Sequence, residues 1–242
     1  FTTNIDKSTT SLLCPGSSIR LNASTSSGNL SDYTFLWSNG STAPFIDLKD
    51  LKTGSTSYSV TVTGNDNQCN IEQTATTSIN VLANPKAPVA LKTEVGVCND
   101  QVVPLIRVES QANTTTNWYD DTGTKLPPGP SAFTYLPRVS QPGEYLYYAE
   151  ARSTEGCISE RRTPIKLTLY PKLTLANAML EKHVSCAGGN DGILNARVNE
   201  IASSGLVYRW SDSGEGVRRT GLKAGRYVAS ITFGAGCVQE FS

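Results

Sequence analysis

The chain has 242 residues with 21 basic and 21 acidic side chains, so its formal net charge is zero. This balance gives no global positive field for a nucleic acid and no acidic excess of the kind that solvates a disordered tail. Hydrophobic residues make up 38% of the chain and charged residues 17%, which is below the usual fractions of roughly 45–50% and 25%. Threonine and serine account for the difference, and because threonine is β-branched this composition predicts an all-β protein.

No apolar run approaches the roughly 18 residues that a membrane-spanning helix needs, so we expect no membrane insertion. The first residues, Phe1 to Asn4, have neither the basic region nor the apolar stretch of a signal peptide. The sequence stops shortly after Gly236-Cys237-Val238, in what reads as the middle of a strand. We therefore expect an internal piece of a longer, exported protein.

The six cysteines divide the chain into three units of similar length. Cys14 and Cys98 are 84 residues apart, and Cys98 and Cys186 are 88 residues apart. In each unit a tryptophan follows the first cysteine by 20 to 24 residues, and a tyrosine precedes the second cysteine by 10 or 11. The complete set is Cys14, Trp37, Tyr58, Cys69, then Cys98, Trp118, Tyr147, Cys157, then Cys186, Trp210, Tyr227, Cys237. A fixed period of this kind predicts three tandem modules.

Proline-containing segments mark the module boundaries. They are Ala83-Asn84-Pro85-Lys86-Ala87-Pro88 and Tyr170-Pro171-Lys172, and each proline restricts the preceding residue to extended conformations. The predicted domains are therefore residues 1–83, 84–170 and 171–242. Because short proline-containing joints act as semi-rigid spacers, we expect an elongated array of domains.

Alternating hydrophobicity predicts short strands along the whole chain. In chain order, the pattern is clear in residues 18–23, 33–37, 57–63 and 227–231, where apolar residues fall on one face and polar residues on the other. Turn signals such as Asn39-Gly40, Pro142-Gly143 and Ala224-Gly225 separate the strands. Many short strands in a unit of this size are typical of a small antiparallel β-sandwich, so we predict three tandem immunoglobulin-like sandwiches.

A domain of this size gains only marginal stability from its core, so one disulfide per module would contribute substantially. The repeat favours pairing Cys14 with Cys69, Cys98 with Cys157 and Cys186 with Cys237. Each such loop would stabilise its module by roughly 4 kcal/mol in the chain-entropy model. The alternative is six reduced thiols in a cytosolic protein. Zinc binding is disfavoured because the sequence has no Cys-x-x-Cys pair and only one histidine, His183.

The aromatic residues have two interpretations. Trp37, Trp118 and Trp210 occur once per module, on the strand that packs a tryptophan into the core of immunoglobulin-like sandwiches. We therefore expect them in the cores with Tyr58, Tyr147 and Tyr227, although an exposed indole could also stack on a sugar ring. In the strand Tyr145-Leu146-Tyr147-Tyr148, tyrosines fall on both faces, which makes Tyr145 and Tyr148 candidates for a binding surface.

No cofactor is expected. Oxygen-rich clusters at Asp47 with Asp50, Asn65-Asp66-Asn67, Asp120-Asp121 and Asn190-Asp191 leave calcium at the domain joints as an alternative. None has the spacing of a dedicated calcium loop, and each lies where a turn favours Asn or Asp. The segment from Gly188 to Gly192 lacks the Lys-Ser/Thr of a phosphate-binding loop, so we predict no enzyme, while two carboxylates meeting as a glycosidase pair remain open.

The modules resemble those of large cell-surface proteins of the Bacteroidetes. The third resembles the SprB repeat of gliding-motility adhesins in Ser185-Cys186-Ala187-Gly188-Gly189-Asn190-Asp191-Gly192-Ile193, Tyr208-Arg209-Trp210-Ser211, the segment from Gly221 to Tyr227, and Gly236-Cys237. The second is similar to their immunoglobulin-like domains in Trp118-Tyr119-Asp120 and in Cys157 to Ile165. The first looks like a PKD or immunoglobulin-like relative in Cys14-Pro15-Gly16 and in Leu36 to Thr42.

The resemblance implies a non-catalytic segment of a very long adhesin that is exported through the outer membrane by type IX secretion and serves in gliding or attachment. Its partners would be the neighbouring modules of the same chain, with surface polysaccharide or other outer-membrane proteins as further candidates and no nucleic acid. Two alternatives remain at this point: a carbohydrate- or protein-binding module, and an accessory region of a secreted enzyme.

Overall fold

The computed structural model describes residues 1–9, 12–66, 69–201 and 205–242. Their regular structure consists of β-strands and a single 3-10 turn, Leu30–Asp32. The predicted all-β fold class is confirmed. None of the helical structure in the described residues has the length and apolar character needed to cross a bilayer.

The first third of the chain forms two three-stranded sheets that enclose a core around Trp37, Leu21 and Val60. One sheet has the order β1-β2-β4 and the other the order β3-β5-β6. The strands are β1 (Thr3–Lys7), β2 (Ile19–Thr25), β3 (Tyr33–Trp37), β4 (Phe45–Leu48), β5 (Gly54–Asp66) and β6 (Cys69–Val81).

The alternation in β5 and β6 explains this packing. Val60 and Val62 are completely buried, whereas the intervening hydroxyl residues face outward and pair across the two strands. Ser57 Oγ lies 3.1 Å from Ser78 Oγ, and Thr61 Oγ1 lies 3.1 Å from Thr74 Oγ1. The pattern of period two thus places one face of the hairpin on the core and the other in solvent.

The middle of the chain contains a three-stranded sheet in the order β11-β9-β7 and a four-stranded sheet in the order β10-β12-β13-β8. The prediction of purely antiparallel sheets is wrong here, because β8 pairs with β13 in parallel and aligns Cys98 with Tyr170. The strands are β7 (Val89–Ala90), β8 (Glu94–Cys98), β9 (Ile106–Glu109), β10 (Thr114–Tyr119), β11 (Thr134–Tyr135), β12 (Gly143–Ser153) and β13 (Thr163–Tyr170).

The last third of the chain forms two further antiparallel three-stranded sheets, in the orders β14-β15-β17 and β16-β18-β19. Trp210 and Ile231 lie in the core between them. The strands are β14 (Leu180–Lys182), β15 (Gly192–Asn195), β16 (Val207–Trp210), β17 (Arg218–Leu222), β18 (Ala229–Phe233) and β19 (Cys237–Phe241).

The described residues form three clusters of buried apolar side chains, one within each of the ranges 1–83, 84–170 and 171–242. The backbone contacts, however, divide the chain into two compact units. The first unit comprises Phe1–Ala87, Ser110–Thr115 and Glu150–Arg162, and the second comprises Pro88–Glu109, Thr116–Ala149 and Thr163–Ser242. The division into three domains therefore stays a prediction from the sequence.

Candidate functional site: two disulfide-linked joints

The described residues form two disulfides, Cys14–Cys157 in the first unit and Cys98–Cys237 in the second. The predicted pairs Cys14–Cys69, Cys98–Cys157 and Cys186–Cys237 are therefore wrong. The observed bonds join residues 143 and 139 positions apart, and each connects cysteines of different predicted modules. In the chain-entropy model, closing a loop of this length lowers the entropy of the unfolded chain and so stabilises the folded state by roughly 5 kcal/mol per bond.

The other two cysteines have separate outcomes. Cys186 is an exposed free thiol in the described part of the chain. The side chain of Cys69 lies outside the described residues. The prediction failed for a physical reason: the bonded cysteines lie in turns and at strand ends, where they meet residues of the next repeat.

Cys14 is held in place by a tight turn. The Ser17 N–H donates to the Cys14 carbonyl at 3.1 Å, and the Cys14 N–H donates to Ser17 Oγ at 3.3 Å. Between them lie Pro15 and Gly16, the latter with a φ of 81°. Proline followed by a glycine of positive φ is the sequence signature of a type II turn, so Cys14-Pro15-Gly16 positions the thiol.

Cys157 lies near the tip of a short hairpin that follows β12. The Ser153 N–H donates to the Cys157 carbonyl at 2.8 Å, and the Cys157 N–H donates to Ser153 Oγ at 3.2 Å. At the base of the hairpin Arg162 Nε lies 3.1 Å from Glu150 Oε2, and the Glu150 side chain is only 5% exposed. The Glu150 carboxylate is buried and Arg162 is partly exposed, so this ion pair helps to hold the segment that carries Cys157 at the end of β12.

The second joint surrounds the linker Tyr170-Pro171-Lys172. Gln239 accepts the Leu173 N–H at 2.8 Å and donates through Nε2 to the Leu173 carbonyl at 2.6 Å. Cys98 ends β8, and the buried Cys237 begins β19. The backbone just after the linker is thus held by a side-chain amide, and Cys98 is held by a covalent bond, so these residues form a fixed joint.

Close packing reinforces this joint. The rings of Tyr170 and Phe233 meet edge to face, with their centroids 6.2 Å apart. A Cβ atom added at Gly96 would lie 2.4 Å from the Cβ atom of Ala235, well inside van der Waals contact. Glycine is therefore required at position 96 for β8 to approach the turn that precedes β19.

The three tryptophans are buried, with exposed fractions of 1% for Trp37, 1% for Trp118 and 4% for Trp210. The Trp37 indole donates to the Ala43 carbonyl, and the Trp210 indole donates to the Gly216 carbonyl, each at 2.8 Å and six residues further along the chain. Trp37 and Trp210 thus share an arrangement set by the turn after their strands, whereas Trp118 Nε1 is buried without a hydrogen-bond partner among the described residues. Indoles packed in this way present no face to a sugar ring.

The predicted tyrosines differ in their surroundings. Tyr147 is buried in the middle core, whereas Tyr58 and Tyr227 are partly buried against the first and last cores. Tyr145 and Tyr148, the candidate binding surface, are half-buried. Tyr145 packs against the core and donates its hydroxyl to the Gln141 carbonyl at 2.7 Å, so part of its ring is engaged within the protein.

Burial raises the pKa of Tyr147 to about 12, and the neighbouring Tyr135 adds to the shift. The unfolded phenol ionises near its ordinary value of 10, so the stability contributed by the protonated Tyr147 is present below about pH 10 and is lost as the pH rises to about 12. Because of this group, we expect the free energy of unfolding, measured in urea, to be about 1 kcal/mol lower at pH 11 than at pH 9. Tyr147→Phe should reduce this dependence of the unfolding free energy on pH, whereas Tyr148→Phe, which retains the Tyr147 phenol, should leave its slope unchanged. Equal slopes in the two variants would contradict this assignment.

Two of the carboxylates considered for calcium, Asp47 and Asp120, bind protein groups. Asp47 forms a two-pronged ion pair with Arg20 at 2.7 and 2.8 Å, and its pKa is lowered by that hydrogen bond. Asp120 Oδ1 accepts the N–H groups of Thr122 and Thr124 within its own turn. Among the described residues no group of three or more His, Cys, Asp or Glu residues could hold a metal ion. The side chains of Asn65-Asp66-Asn67 lie outside the described residues.

Residues 85–171 match the family described as "Ig-like domain CHU_C associated", nearly the range 84–170 of the predicted middle domain. No curated protein matches the chain. Among solved structures, the chain is similar to fibronectin(III)-like modules of Clostridium thermocellum CbhA, with 15% identity over 70% of this chain and 94% of that chain and a TM-score of 0.39. It is also similar to a marsupial T cell receptor, with 10% identity over 99% of both chains and a TM-score of 0.40.

Proposed function

We propose that the chain is a structural and adhesive segment of a large bacterial cell-surface adhesin, in which it transmits tension between its neighbours. The observation that carries this proposal is the pair of disulfides that cross the predicted module boundaries, Cys14–Cys157 and Cys98–Cys237. In a stalk that is pulled from both ends, these covalent bonds limit how much of the chain can unfold and extend.

The compartment is consistent with this role. Disulfides persist in oxidising surroundings and are rare in the cytosol. The immunoglobulin-like domain of residues 85–171 belongs to a fold that commonly serves as a structural or adhesive module. A protein located outside the cell, and without catalytic function, agrees with both observations.

The finer assignment rests on the sequence motifs of the last third of the chain. The resemblance of Tyr208-Arg209-Trp210-Ser211 and of the segment from Gly221 to Tyr227 to the SprB repeat supports a role in gliding motility or attachment. On this proposal the adhesin is exported through the outer membrane by type IX secretion. Its partners are the adjoining modules, and its contacts are with surface polysaccharide or other outer-membrane proteins.

The proposal is tested with the full-length protein in the bacterium that makes it. Antibodies against this segment should label intact cells, and cells carrying Cys14→Ser with Cys98→Ser should detach from a surface at a lower shear stress than the parent strain. The matched control is Cys186→Ser, which removes a cysteine that forms neither disulfide. Labelling only after cell lysis, or equal detachment of all strains at equal surface display, would contradict the proposal.

A further inference from the structure

A cleft of about 460 Å³ lies in the second unit, among the strands β14, β15 and β17. One wall is formed by β14 and the residues that follow it, through His183 and Val184. The floor is formed by Ile193 and Leu222, and the opposite wall is the loop from Lys223 to Tyr227. A volume of several hundred cubic ångströms is typical of small-ligand sites in proteins.

Both walls are held in place by specific contacts. Asp191 accepts from Lys182 Nζ at 2.7 Å and from the Ser185 N–H at 2.9 Å. These donors, Lys182 first, hold the pKa of Asp191 well below its usual range, so the carboxylate that fixes this wall stays ionised. On the other side, the Tyr227 hydroxyl donates to the Lys223 carbonyl at 3.2 Å, which closes the loop that carries Lys223 and Arg226.

The floor is packed tightly because position 192 is a glycine. A Cβ atom there would lie 2.9 Å from the Leu222 carbonyl oxygen and 3.3 Å from Val184 Cγ1. Gly192 therefore lets β15 approach β17 and brings Val184 over the floor. Close packing at position 192 thus fixes the apolar part of the cleft, whereas its cations lie on exposed side chains.

The charged side chains that line the cleft in the described part of the chain are Lys182, Lys223 and Arg226, with no aspartate or glutamate among them. Lys182 is paired with Asp191. Lys223 and Arg226 are exposed on the facing loop, and Arg226 Nη2 lies 3.5 Å from Oγ of Ser242, which also lines the cleft. Apolar side chains form most of the remaining surface, and Leu180 at its edge is 45% exposed.

We propose that this cleft binds an acidic saccharide, a sugar ring that carries a carboxylate. The carboxylate binds Lys223 and Arg226, and the guanidinium of arginine suits a carboxylate because it can donate two parallel hydrogen bonds. The C–H face of the ring packs on Leu180 and Ile193, with the half-buried ring of Tyr227 at the rim. A ligand with one apolar face and one negative edge matches a site that has an apolar floor and positive charge on a single wall.

This inference rests on the proposed adhesive function and deepens it, because it specifies the chemistry of a saccharide that the segment contacts. Its test is calorimetric titration of the whole chain with trigalacturonate, and with trigalacturonate methyl ester as the uncharged counterpart. The acidic sugar should bind, and the ester should bind at least about tenfold more weakly, since each charge-assisted contact contributes about one factor of ten or more.

The variant Lys223→Ala with Arg226→Ala should weaken binding of trigalacturonate by at least about tenfold. The matched control is Arg209→Ala, which removes an exposed cation of β16 outside the cleft and should change affinity by less than about twofold. Both altered cations are exposed, and unchanged thermal unfolding would show that the variants are folded.

Several results would overturn the proposal. They are the absence of binding by trigalacturonate, equal binding of the methyl ester, and an unchanged affinity in the Lys223→Ala, Arg226→Ala variant. Tighter binding of hexaglutamate than of trigalacturonate would assign the cleft to an acidic peptide instead. None of these outcomes bears on detachment under shear, so failure of the ligand proposal and failure of the adhesin proposal are distinguishable.

Discussion

Removing both disulfides should lengthen the fully unfolded chain from about 270 Å to about 840 Å when it is pulled from its two ends. With both bonds intact, the shortest covalent path runs from residue 1 to Cys14, across to Cys157, back along the chain to Cys98, and across to Cys237. Only about a third of the residues can then extend. Single-molecule pulling of the oxidised protein and of the Cys14→Ser, Cys98→Ser variant measures this difference.

The single variants give a sharper test, because the two loops interleave. Cys14→Ser or Cys98→Ser alone should reach only about 350 Å, since the remaining bond still shortens most of the path. Removal of the second bond then adds almost all of the extra length. Independent loops within modules would instead add nearly equal increments of about 200 Å for each bond removed.

Cys186→Ser is the matched control for the pulling experiment. It should leave the extension at about 270 Å, because Cys186 forms neither of the observed bonds. A longer extension in this variant, or additive increments in the two single variants, would contradict the observed pairing.

Gly96→Ala should destabilise the second unit by about 1–3 kcal/mol, the usual cost of forcing an additional methyl group into a packed site. The new methyl carbon would lie 2.4 Å from the Cβ atom of Ala235, so either β8 or the turn before β19 has to move. Urea unfolding of the Gly96→Ala variant measures the effect.

The second variant in this test removes the atom that clashes. Ala235→Gly combined with Gly96→Ala should recover most of the lost stability, because the two positions then hold one methyl group between them. Gly225→Ala is a useful comparison, because a Cβ atom at that glycine meets only Tyr227 Cε2, at 3.7 Å, and the backbone there is outside the left-handed region. If Ala235→Gly failed to rescue the Gly96→Ala variant, the contact between these residues would not be the cause of the destabilisation.

The strands and their buried faces could be predicted from the sequence because they depend on local patterns. Val60 and Val62 alternate with threonines along β5, and such alternation predicts a strand with one buried face and one exposed face. Tryptophans recurring in the same place in each repeat similarly indicated their positions in the cores. The first signal lies within a few consecutive residues, and the second is the recurrence of one residue type along the chain.

The disulfide pairing depends on contacts between segments that are far apart in the sequence, and no local pattern carries that information. Cys14 and Cys157 come together through a turn at one position and a hairpin tip 143 residues away. The parallel pairing of β8 with β13 likewise brings Cys98 next to Tyr170 across a long stretch of sequence. The cleft of the last third was not predicted, for a related reason. Its cations look like ordinary surface residues in the sequence, and only the fold places them beside the apolar floor formed by β15 and β17.

The interleaved bonds have a consequence for survival among extracellular proteases. Proteolysis concentrates at exposed loop tips and other segments with few contacts. Because the segments closed by Cys14–Cys157 and Cys98–Cys237 overlap, one cut at any peptide bond between residues 14 and 237 leaves both fragments joined. Bonds confined to single modules would have released a fragment after one cut in a linker. A nicked chain of this kind remains a continuous tether.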